Sequence, residues 1–188
     1  MTLQDILFGV KLQSIIGDRE VQISGIAFDS RQVQKGHLFV AVKGLTVDGH
    51  DFIEKAIESG AVAVVCETMP AELKEGVAYV QTADSSYALG ICASNFYDKP
   101  SEKLKLVGIT GTNGKTTVAT LCHDLFSELG YKSGLLSTVE NRIGEQVTES
   151  KYTTGDAIQI NRLLSQMVAA GCTHCFMEVS SQIGRAHV

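Results

Sequence analysis

One segment constrains the fold of this chain more than any other. Residues 107–121 read VGITGTNGKTTVATL, an apolar run, then a glycine-rich stretch with a single lysine, then apolar residues at helical spacing. This order predicts a strand, a tight loop and a helix. Glycine adopts backbone conformations that other residues avoid, so the loop can fold closely around an anion. The segment therefore predicts a strand-loop-helix unit with an anion site at its loop.

Phosphate is the anion that these residues favour. Backbone N–H groups of the loop and the positive end of the helix dipole both attract it. Lys115 is placed to hold β- and γ-phosphates, and the Thr116 hydroxyl to bind Mg²⁺. The standard P-loop pattern would need its first glycine at position 109, but that residue is isoleucine and glycine stands at 111. The alternative is a glycine turn that merely joins strand to helix.

Glu178 is the predicted second protein ligand of the Mg²⁺. It follows the apolar run of CFMEVSS, residues 175–181. The carboxyl ends of parallel strands face the ligand crevice, and Mg²⁺ is often held by one or two carboxylates together with phosphates. The alternative is a glutamate at a solvent-exposed strand end.

The chain divides into two regions at the polar segment YDKPSEK, residues 97–103, which contains Pro100. Both regions alternate between strand-like and helix-like patterns, which favours parallel strands joined by crossover helices. Asp84 and Asp156 are predicted helix caps. The strands are expected at 21–30, 37–44, 61–67, 77–82, 104–110, 133–138 and 173–181, and the helices at 51–60, 85–97, 115–130 and 156–171.

The fold class predicted is α/β. Residues 1–100 are expected to form a small mixed α/β domain, and residues 104–181 a parallel-sheet domain with only three strands, fewer than a P-loop domain usually has. Residues 139–155 are expected to be a loop or a hairpin. Such a thin sheet would leave an unpaired edge and exposed apolar faces. Six apolar residues predict one stripe on the helix after the glycine loop: Val118, Leu121, Cys122, Leu125, Phe126 and Leu129.

Composition excludes several function classes. The net charge is −5 without a basic block, which argues against nucleic acid as a partner. The N-terminus does not resemble a signal peptide, and no apolar run approaches the ~20 residues that span a bilayer. Five cysteines, an odd number, mostly within apolar runs, indicate a reducing compartment. We therefore expect a cytoplasmic protein without a membrane partner.

A metal or redox site built from cysteines and histidines is the weaker interpretation of these residues. Cys172 and Cys175 have C-x-x-C spacing, but no second pair exists and Cys175 lies in a strand-like run. Four of the five histidines are scattered, and each is expected to be a turn, surface or packing residue: His37, His50, His123 and His174.

Three motifs together resemble the Mur ligase family. GITGTNGKTT, residues 108–117, resembles the ATP loop that Mur ligases share with folylpolyglutamate synthetases. DSRQVQKGHLFVAVKGLTVDGHDFIEKAIESGA, residues 29–61, resembles the UDP-binding N-terminal domain of the muramyl-tripeptide synthetases of that family. AGCTHCFMEVSS, residues 170–181, resembles their second ATPase motif. The resemblance covers residues 1–181.

The resemblance implies an ATP-dependent ligase that adds a diamino acid to UDP-MurNAc-L-Ala-D-Glu through an acyl phosphate, with diaminopimelate favoured over lysine. ATP, Mg²⁺, the UDP-substrate and the diamino acid would be its partners, and the full-length protein a monomer. Lys115 and Glu178 are the implied catalytic residues, and Thr116 and Glu178 the implied Mg²⁺ ligands. The implied ATP-binding residues are Gly111, Thr112, Asn113, Gly114, Lys115, Thr116 and Thr117. The implied residues for the UDP-muramyl-peptide are Phe28, Ser30, Leu45, Thr46, Val47, Thr153, Thr154 and Ser180.

The last residues depart from the family pattern. The family continues with histidine after MEVSS, where this chain has Gln182. IGRAHV, residues 183–188, is what ATCGGAAGAGCACACGTC encodes, a string that resembles a common sequencing adapter. We therefore expect residues 182–188 to be a non-native tail and the chain to be an N-terminal fragment, inactive alone; a gene with different codons there would contradict the first expectation.

Two other functions compete with this one. A folylpolyglutamate synthetase shares the ATP loop but lacks an N-terminal domain with the DSR and GHLFVA motifs, so residues 1–100 argue against it. A UDP-substrate-binding module without turnover is the non-enzymatic alternative. For the motif DSR, a plain turn in which Asp29 accepts backbone hydrogen bonds is also open.

Overall fold

The structure is a computed structural model that describes residues 1–44, 47–149 and 156–179. The chain divides into two compact units, Met1–Phe96 and Tyr97–His187. Pro100–Glu102 forms a short 3₁₀ turn just after the boundary. In the described part of the chain, no helix is both long and apolar enough to cross a bilayer.

The N-terminal unit is built on a five-stranded sheet with the order β1-β5-β4-β3-β2. Strand β1 is antiparallel to β5, and the other neighbours are parallel. The sequence does not predict β1, because this edge strand is mostly exposed and has no continuous apolar face. The strand-like run at 21–30 contributes a strand of only three residues. The strands are β1 (Leu12–Ile16), β2 (Gly25–Ala27), β3 (His37–Val40), β4 (Ala61–Cys66) and β5 (Ala78–Thr82).

Helices cover both faces of this sheet. Helix α1 spans Leu3–Ile6, α2 spans Ile53–Glu58 and α3 spans Ser85–Phe96. Helix α2 packs with Phe39 and Val64 in one buried cluster. Alternate strand residues are equally buried and point to the other face, where α3 packs against β2 and β4.

The predicted cap of α3 is confirmed. The Tyr87 backbone N–H donates to Asp84 Oδ1 at 2.8 Å. Such a bond satisfies one of the free N–H groups in the first helical turn.

The C-terminal unit has a five-stranded sheet with the order β6-β10-β7-β8-β9. Strand β10 pairs in parallel with β6 on one side and with β7 on the other, as the alternating pattern predicts. The polar segment after β7 forms a hairpin, the second of the two alternatives, and adds two antiparallel strands. The strands are β6 (Lys105–Ile109), β7 (Ser133–Leu136), β8 (Glu140–Ile143), β9 (Gln146–Glu149) and β10 (His174–Glu178).

One helix covers each face of this second sheet. Helix α4 spans Lys115–Glu128 and packs on Leu135 and Phe176. Helix α5 spans Ala157–Ala169 and packs on the alternate residues, among them Leu136 and Met177. Asp156 caps α5 as predicted, because its Oδ1 accepts the Gln159 N–H at 2.8 Å.

The single apolar stripe predicted for α4 is wrong. Cys122 and Phe126 pack on the sheet with Ala119, while the other four stripe residues are 47% to 63% exposed. The reason is that i, i+3 and i+7 positions form a row on a helix, and two adjacent rows here are both apolar. Val107 on the edge strand β6 is also 43% exposed. The prediction of only three strands is wrong, because the hairpin adds two, but the apolar surface that was expected to be exposed is present on β6 and α4. The exposed row, named the outer row below, consists of Val118, Leu121, Leu125 and Leu129.

Candidate functional sites

The glycine-rich loop lies between the end of β6 at Ile109 and the start of α4 at Lys115. Gly111 has φ +149° and Gly114 has φ +78°, conformations that favour glycine. A Cβ added at Gly114 would meet no atom within 4 Å. The backbone conformation, rather than lack of space, therefore explains glycine at this position.

The first turn of α4 presents free backbone donors. Its first helical bond runs from the Val118 N–H to Gly114 O at 2.9 Å, so the N–H groups of residues 115–117 have no acceptor within the helix. Gly114, the N-cap residue, supplies no side-chain bond, and the first turn carries no acidic residue. The positive end of the helix dipole is thus uncompensated by its own side chains and suits an anion.

Lys115 places a cation directly at this loop. Its Nζ donates to Gly111 O at 2.8 Å and lies 3.4 Å from Thr112 O. The ammonium group therefore lies over the loop, where it can exchange carbonyl oxygens for phosphate oxygens without a large movement.

Glu178 lies beside the same loop because of the strand register. Ile109 is the partner of Glu178 in the parallel β6–β10 pair, and the Val179 N–H donates to Ile109 O at 2.8 Å. The Thr116 hydroxyl donates to Glu178 Oε2 at 2.8 Å. The structure thus brings together the two residues that the sequence predicts as metal ligands.

Thr138 is a site residue that sequence reasoning missed. It follows β7, and both its backbone N–H (3.3 Å) and its hydroxyl (3.1 Å) donate to Glu178 Oε2. The sequence pattern could have indicated Thr138, because a polar residue just after a parallel strand lies at the same edge of the sheet as Glu178.

These oxygen donors suit a hard cation such as Mg²⁺. The hydroxyl of Thr116 and the carboxylate of Glu178 are hard ligands. Among the residues that the structure describes, no group of three or more His, Cys, Asp or Glu could hold a metal ion. The two-ligand set suits a cation that phosphate oxygens also hold, rather than an all-protein cage.

A second candidate site is a cavity of about 490 Å³ in the N-terminal unit. It brings together Phe28, Ser30 and Val47, three of the predicted UDP-site residues. Two more, Leu45 and Thr46, lie outside the described residues. Phe52 adds a second aromatic ring and Lys55 a second cation, and neither was predicted.

The charged groups of this cavity are arranged around Asp29. The Arg31 guanidinium donates to both carboxylate oxygens of Asp29, with Nη2 2.7 Å from Oδ2. These bonds hold the pKa of Asp29 below its usual range and raise the pKa of Arg31. Asp29 also accepts the Arg31 backbone N–H at 3.0 Å. This bond forms the turn that the sequence analysis gave as an alternative explanation of the DSR motif. With Lys55, the cavity lining combines two cations with one carboxylate, so its net charge is positive and suits an anionic group.

Thr153, Thr154 and Ser180 lie outside the described residues, as do residues 182–188. Cys172 and Cys175 are buried in the cluster under α5, and burial raises the pKa of Cys175 to about 12. His123 and His174 are buried packing residues, whereas His50 joins two loops by hydrogen bonds.

Two family models match the chain. Residues 22–97 match the Mur ligase family catalytic domain, and residues 109–188 match the Mur ligase middle domain. Together they include both candidate sites.

Two curated relatives of this chain carry the same protein name. A UDP-N-acetylmuramoyl-L-alanyl-D-glutamate–2,6-diaminopimelate ligase of Cytophaga hutchinsonii is 56% identical over 182 residues, which is 96% of this chain and 37% of that protein. The protein of the same name in Bacteroides fragilis is 51% identical over 181 residues, again 96% of this chain and 37% of the relative. The chain therefore spans about 37% of the length of these relatives.

The fold is also similar to that of a solved structure with the same protein name. A solved structure of a 2,6-diaminopimelate ligase of this name superposes with a TM-score of 0.77 at 26% identity, covering 97% of this chain and 36% of that one.

Proposed function

Because the chain belongs to the Mur ligase family, we propose that it is part of an ATP-dependent ligase that adds a diamino acid to the D-glutamate of UDP-MurNAc-L-Ala-D-Glu. This reaction forms a C–N bond in cytoplasmic peptidoglycan precursor synthesis. One observation carries the proposal: a single chain holds both a phosphate-type glycine loop and a separate cavity with two aromatic rings and two cations. meso-Diaminopimelate is the proposed amine, since the relatives carry it in their names.

The chemistry needs no protein nucleophile. An oxygen of the D-glutamate γ-carboxylate attacks the γ-phosphorus of ATP, and ADP leaves. The neutral amine then attacks the acyl carbon, its nitrogen loses one proton to solvent, and the tetrahedral intermediate expels phosphate as the amide forms. Catalysis therefore depends on positioning and on stabilising the charge of the transferring phosphoryl group.

Residues 111–117 would bind the phosphates of ATP. The free N–H groups of the first turn of α4 would donate to phosphate oxygens, and Lys115 would place its ammonium group against the β- and γ-phosphates. Thr116 and Glu178 would hold the Mg²⁺ ion, which supplies charge neutralisation on the phosphates. Thr138 would keep the Glu178 carboxylate oriented.

The cavity of the N-terminal unit would bind the UDP moiety. The rings of Phe28 and Phe52 offer apolar surface to a uracil ring, and Arg31 and Lys55 offer charge to the diphosphate. Ser30, with Leu45, Thr46 and Val47, completes the proposed UDP site. Thr153, Thr154 and Ser180 are proposed to contact the muramyl-peptide.

Two alternatives are compatible with the same family. The diamino acid could be L-lysine, and the chain alone could be a UDP-substrate-binding module without turnover. We propose that the 188 residues bind substrate but do not ligate, because they span about 37% of the relatives, and that the full-length protein is a monomer.

Binding measurements on the 188-residue chain test the proposal. ATP with Mg²⁺, and separately UDP-MurNAc-L-Ala-D-Glu, are titrated by calorimetry into the wild type and into Lys115→Met. We expect Lys115→Met to weaken ATP binding by about 100-fold, because hydrogen bonds from a charged group are worth ~1.5–3 kcal/mol each. Binding of the UDP-substrate should be unchanged.

The control is Lys105→Met, an exposed lysine at the start of β6, which should leave both affinities unchanged. Equal ATP affinity of wild type and Lys115→Met would contradict the role of the loop. Formation of the tripeptide product by these 188 residues would contradict the proposal that they do not ligate.

A further inference from the structure

A short ribbon forms one rim of the cavity in the N-terminal unit. This rim ribbon, residues 42–44 and 47–49, is held by the Gly44 N–H to Val47 O and by the Gly49 N–H to Val42 O, both at 2.9 Å. Lys43 and Asp48 form an antiparallel bridge between these bonds. Val42, Gly44, Val47 and Gly49 all line the cavity. The position of the ribbon therefore helps to set the shape of the cavity.

The root of the rim ribbon is fastened by His50. Asp48 Oδ1 accepts the His50 backbone N–H at 3.0 Å and lies 2.6 Å from His50 Nδ1. On the other side of the ring, Nε2 lies 2.8 Å from the Glu67 backbone nitrogen and 3.4 Å from that of Thr68. Backbone N–H groups can only donate, so Nε2 must be the acceptor and the ring proton must be on Nδ1.

The far side of this link is itself firmly held. Glu67 directly follows β4, and its Oε1 accepts the Ser85 N–H at 3.0 Å and the Ser85 hydroxyl at 2.9 Å. The Glu67 carbonyl accepts from Gln81 Nε2 at 3.1 Å. His50 therefore joins the rim ribbon to a part of the sheet that is fixed by α3 and β5.

We propose that neutral His50 is a positioning residue that holds the rim ribbon against the end of β4 and so keeps the cavity in the shape that binds UDP. The UDP part of this inference rests on the function proposed above. The Glu67 side of the link depends on the acceptor Nε2, whereas the rim-ribbon side is also held by the His50 backbone N–H, which donates to Asp48 Oδ1.

The link requires the neutral ring. A second proton would go onto Nε2, which faces two N–H donors and cannot accept once protonated. Acid therefore releases the root of the rim ribbon while the link to Asp48 is kept.

Two variants separate the two ring nitrogens. The carbonyl oxygen of glutamine in His50→Gln reaches the position of Nε2 and accepts the Glu67 N–H, without titrating. The amide of asparagine in His50→Asn reaches the position of Nδ1 and keeps the Asp48 contact, but leaves the Glu67 N–H without an acceptor. Both are neutral and polar, so they differ mainly in which half of the link they keep.

The test combines three measurements on the 188-residue chain at about pH 8 and about pH 5.5. Nitrogen chemical shifts of the His50 ring report its tautomer and protonation. Hydrogen exchange of residues 42–44 and 47–49, corrected for the intrinsic effect of pH, reports the rim ribbon. Calorimetric titration with UDP reports the cavity.

We expect the Nδ1–H tautomer at the higher pH, and at the lower pH a faster exchange of the rim ribbon with about tenfold weaker UDP binding, as for loss of one buried hydrogen bond. His50→Gln should bind UDP at both pH values, and His50→Asn should bind about tenfold more weakly at both. If His50→Asn does not fold, the comparison of the wild type with His50→Gln still tests the positioning role of His50.

An Nε2–H tautomer, or rim-ribbon exchange that does not change with pH, would overturn the positioning role. The same pH dependence of UDP binding in wild type and His50→Gln would overturn it as well. A pH-dependent rim ribbon in a wild type that binds no UDP would instead overturn the function proposed for the cavity and support the link itself.

Discussion

Thr116 and Glu178 stand 62 positions apart in the sequence, yet their side chains are joined by a hydrogen bond of 2.8 Å. The bond forms because β6 and β10 are neighbouring parallel strands in which Ile109 is the partner of Glu178. The same carboxylate oxygen accepts from Thr138, which follows β7. One oxygen atom at the end of β10 thus accepts hydrogen bonds from the first turn of α4 and from the segment after β7.

Removing the charge of Glu178 tests its role as a metal ligand. Glu178→Gln keeps the shape of the side chain but loses the anionic oxygen that Mg²⁺ prefers. We expect the affinity for ATP to fall by about tenfold or more with Mg²⁺ present, and to change little with EDTA. Calorimetry under both conditions measures this difference. Glu149→Gln on the exposed strand β9 is the control, and an equal loss in EDTA would contradict a metal role.

Thr138 is expected to act through Glu178. Thr138→Val removes the hydroxyl donor and leaves the backbone N–H bond to Glu178, so Mg²⁺-dependent ATP binding should weaken by about 2–10-fold, the usual worth of one hydrogen bond. Thr138→Ser keeps the hydroxyl and should restore the wild-type affinity. Thr148→Val, on β9, controls for the loss of a hydroxyl from this sheet. Failure of serine to rescue would point to packing rather than to hydrogen bonding.

The outer row of α4 should govern association rather than stability. Leu125 is 57% exposed, so Leu125→Glu should change the free energy of unfolding by no more than ~0.5 kcal/mol. It should also reduce self-association, measured by size-exclusion chromatography at rising concentration. Leu135, fully buried under the same helix, is the matched comparison, and Leu135→Ala should cost ~2–5 kcal/mol. Equal destabilisation by both would mean that the outer row is buried.

Buried histidines should make the fold sensitive to acid. Burial lowers the pKa of His123 below its ordinary value of 6.5, and the pKa values of His37 and His174 are lowered by the same cause. The unfolded chain then binds more protons, so the free energy of unfolding decreases as pH falls below about 6.5 and levels off below the folded pKa values.

Urea unfolding between about pH 7.5 and about pH 5 measures this effect. His123 Nε2 is buried and has no partner among the described residues, so His123→Gln should show a smaller decrease than the wild type. An identical pH dependence in the two proteins would show that His123 does not contribute.

The cysteines should differ in reactivity. Burial raises the pKa of Cys92 and of Cys175 to about 12, so both thiols are protonated and shielded at neutral pH. Cys122 is only partly buried. Iodoacetamide at about pH 8, followed by peptide mass mapping, should modify Cys122 first and the other two only after unfolding. Early modification of Cys175 together with Cys172 would revive the redox interpretation of their spacing.

The elements that the sequence predicted well each have a local cause. Glycines at 111 and 114 allow positive φ, and aspartates at 84 and 156 cap helices within three residues. Glu178 was found because the rule that places ligands at the ends of parallel strands needs only the strand pattern.

What the sequence missed depends on neighbours far along the chain. The division of the apolar residues of α4 into two rows follows from which strands are present to receive them, so Leu121 and Leu125 are exposed although their spacing matches a buried face. His50 was predicted to be a turn, surface or packing residue, and its acceptor role follows from Glu67, seventeen positions away. No local pattern reports such a contact.

The register of β6 and β10 also determines where the chain tolerates changes of length. Side chains alternate between the two faces of a strand, so inserting one residue between Phe176 and Glu178 would turn the carboxylate toward the opposite helix layer and move it away from Thr116. An insertion between β8 and β9, at the exposed hairpin turn, would disturb neither partner. The site should therefore accept many substitutions around it but no insertion or deletion within its central strand.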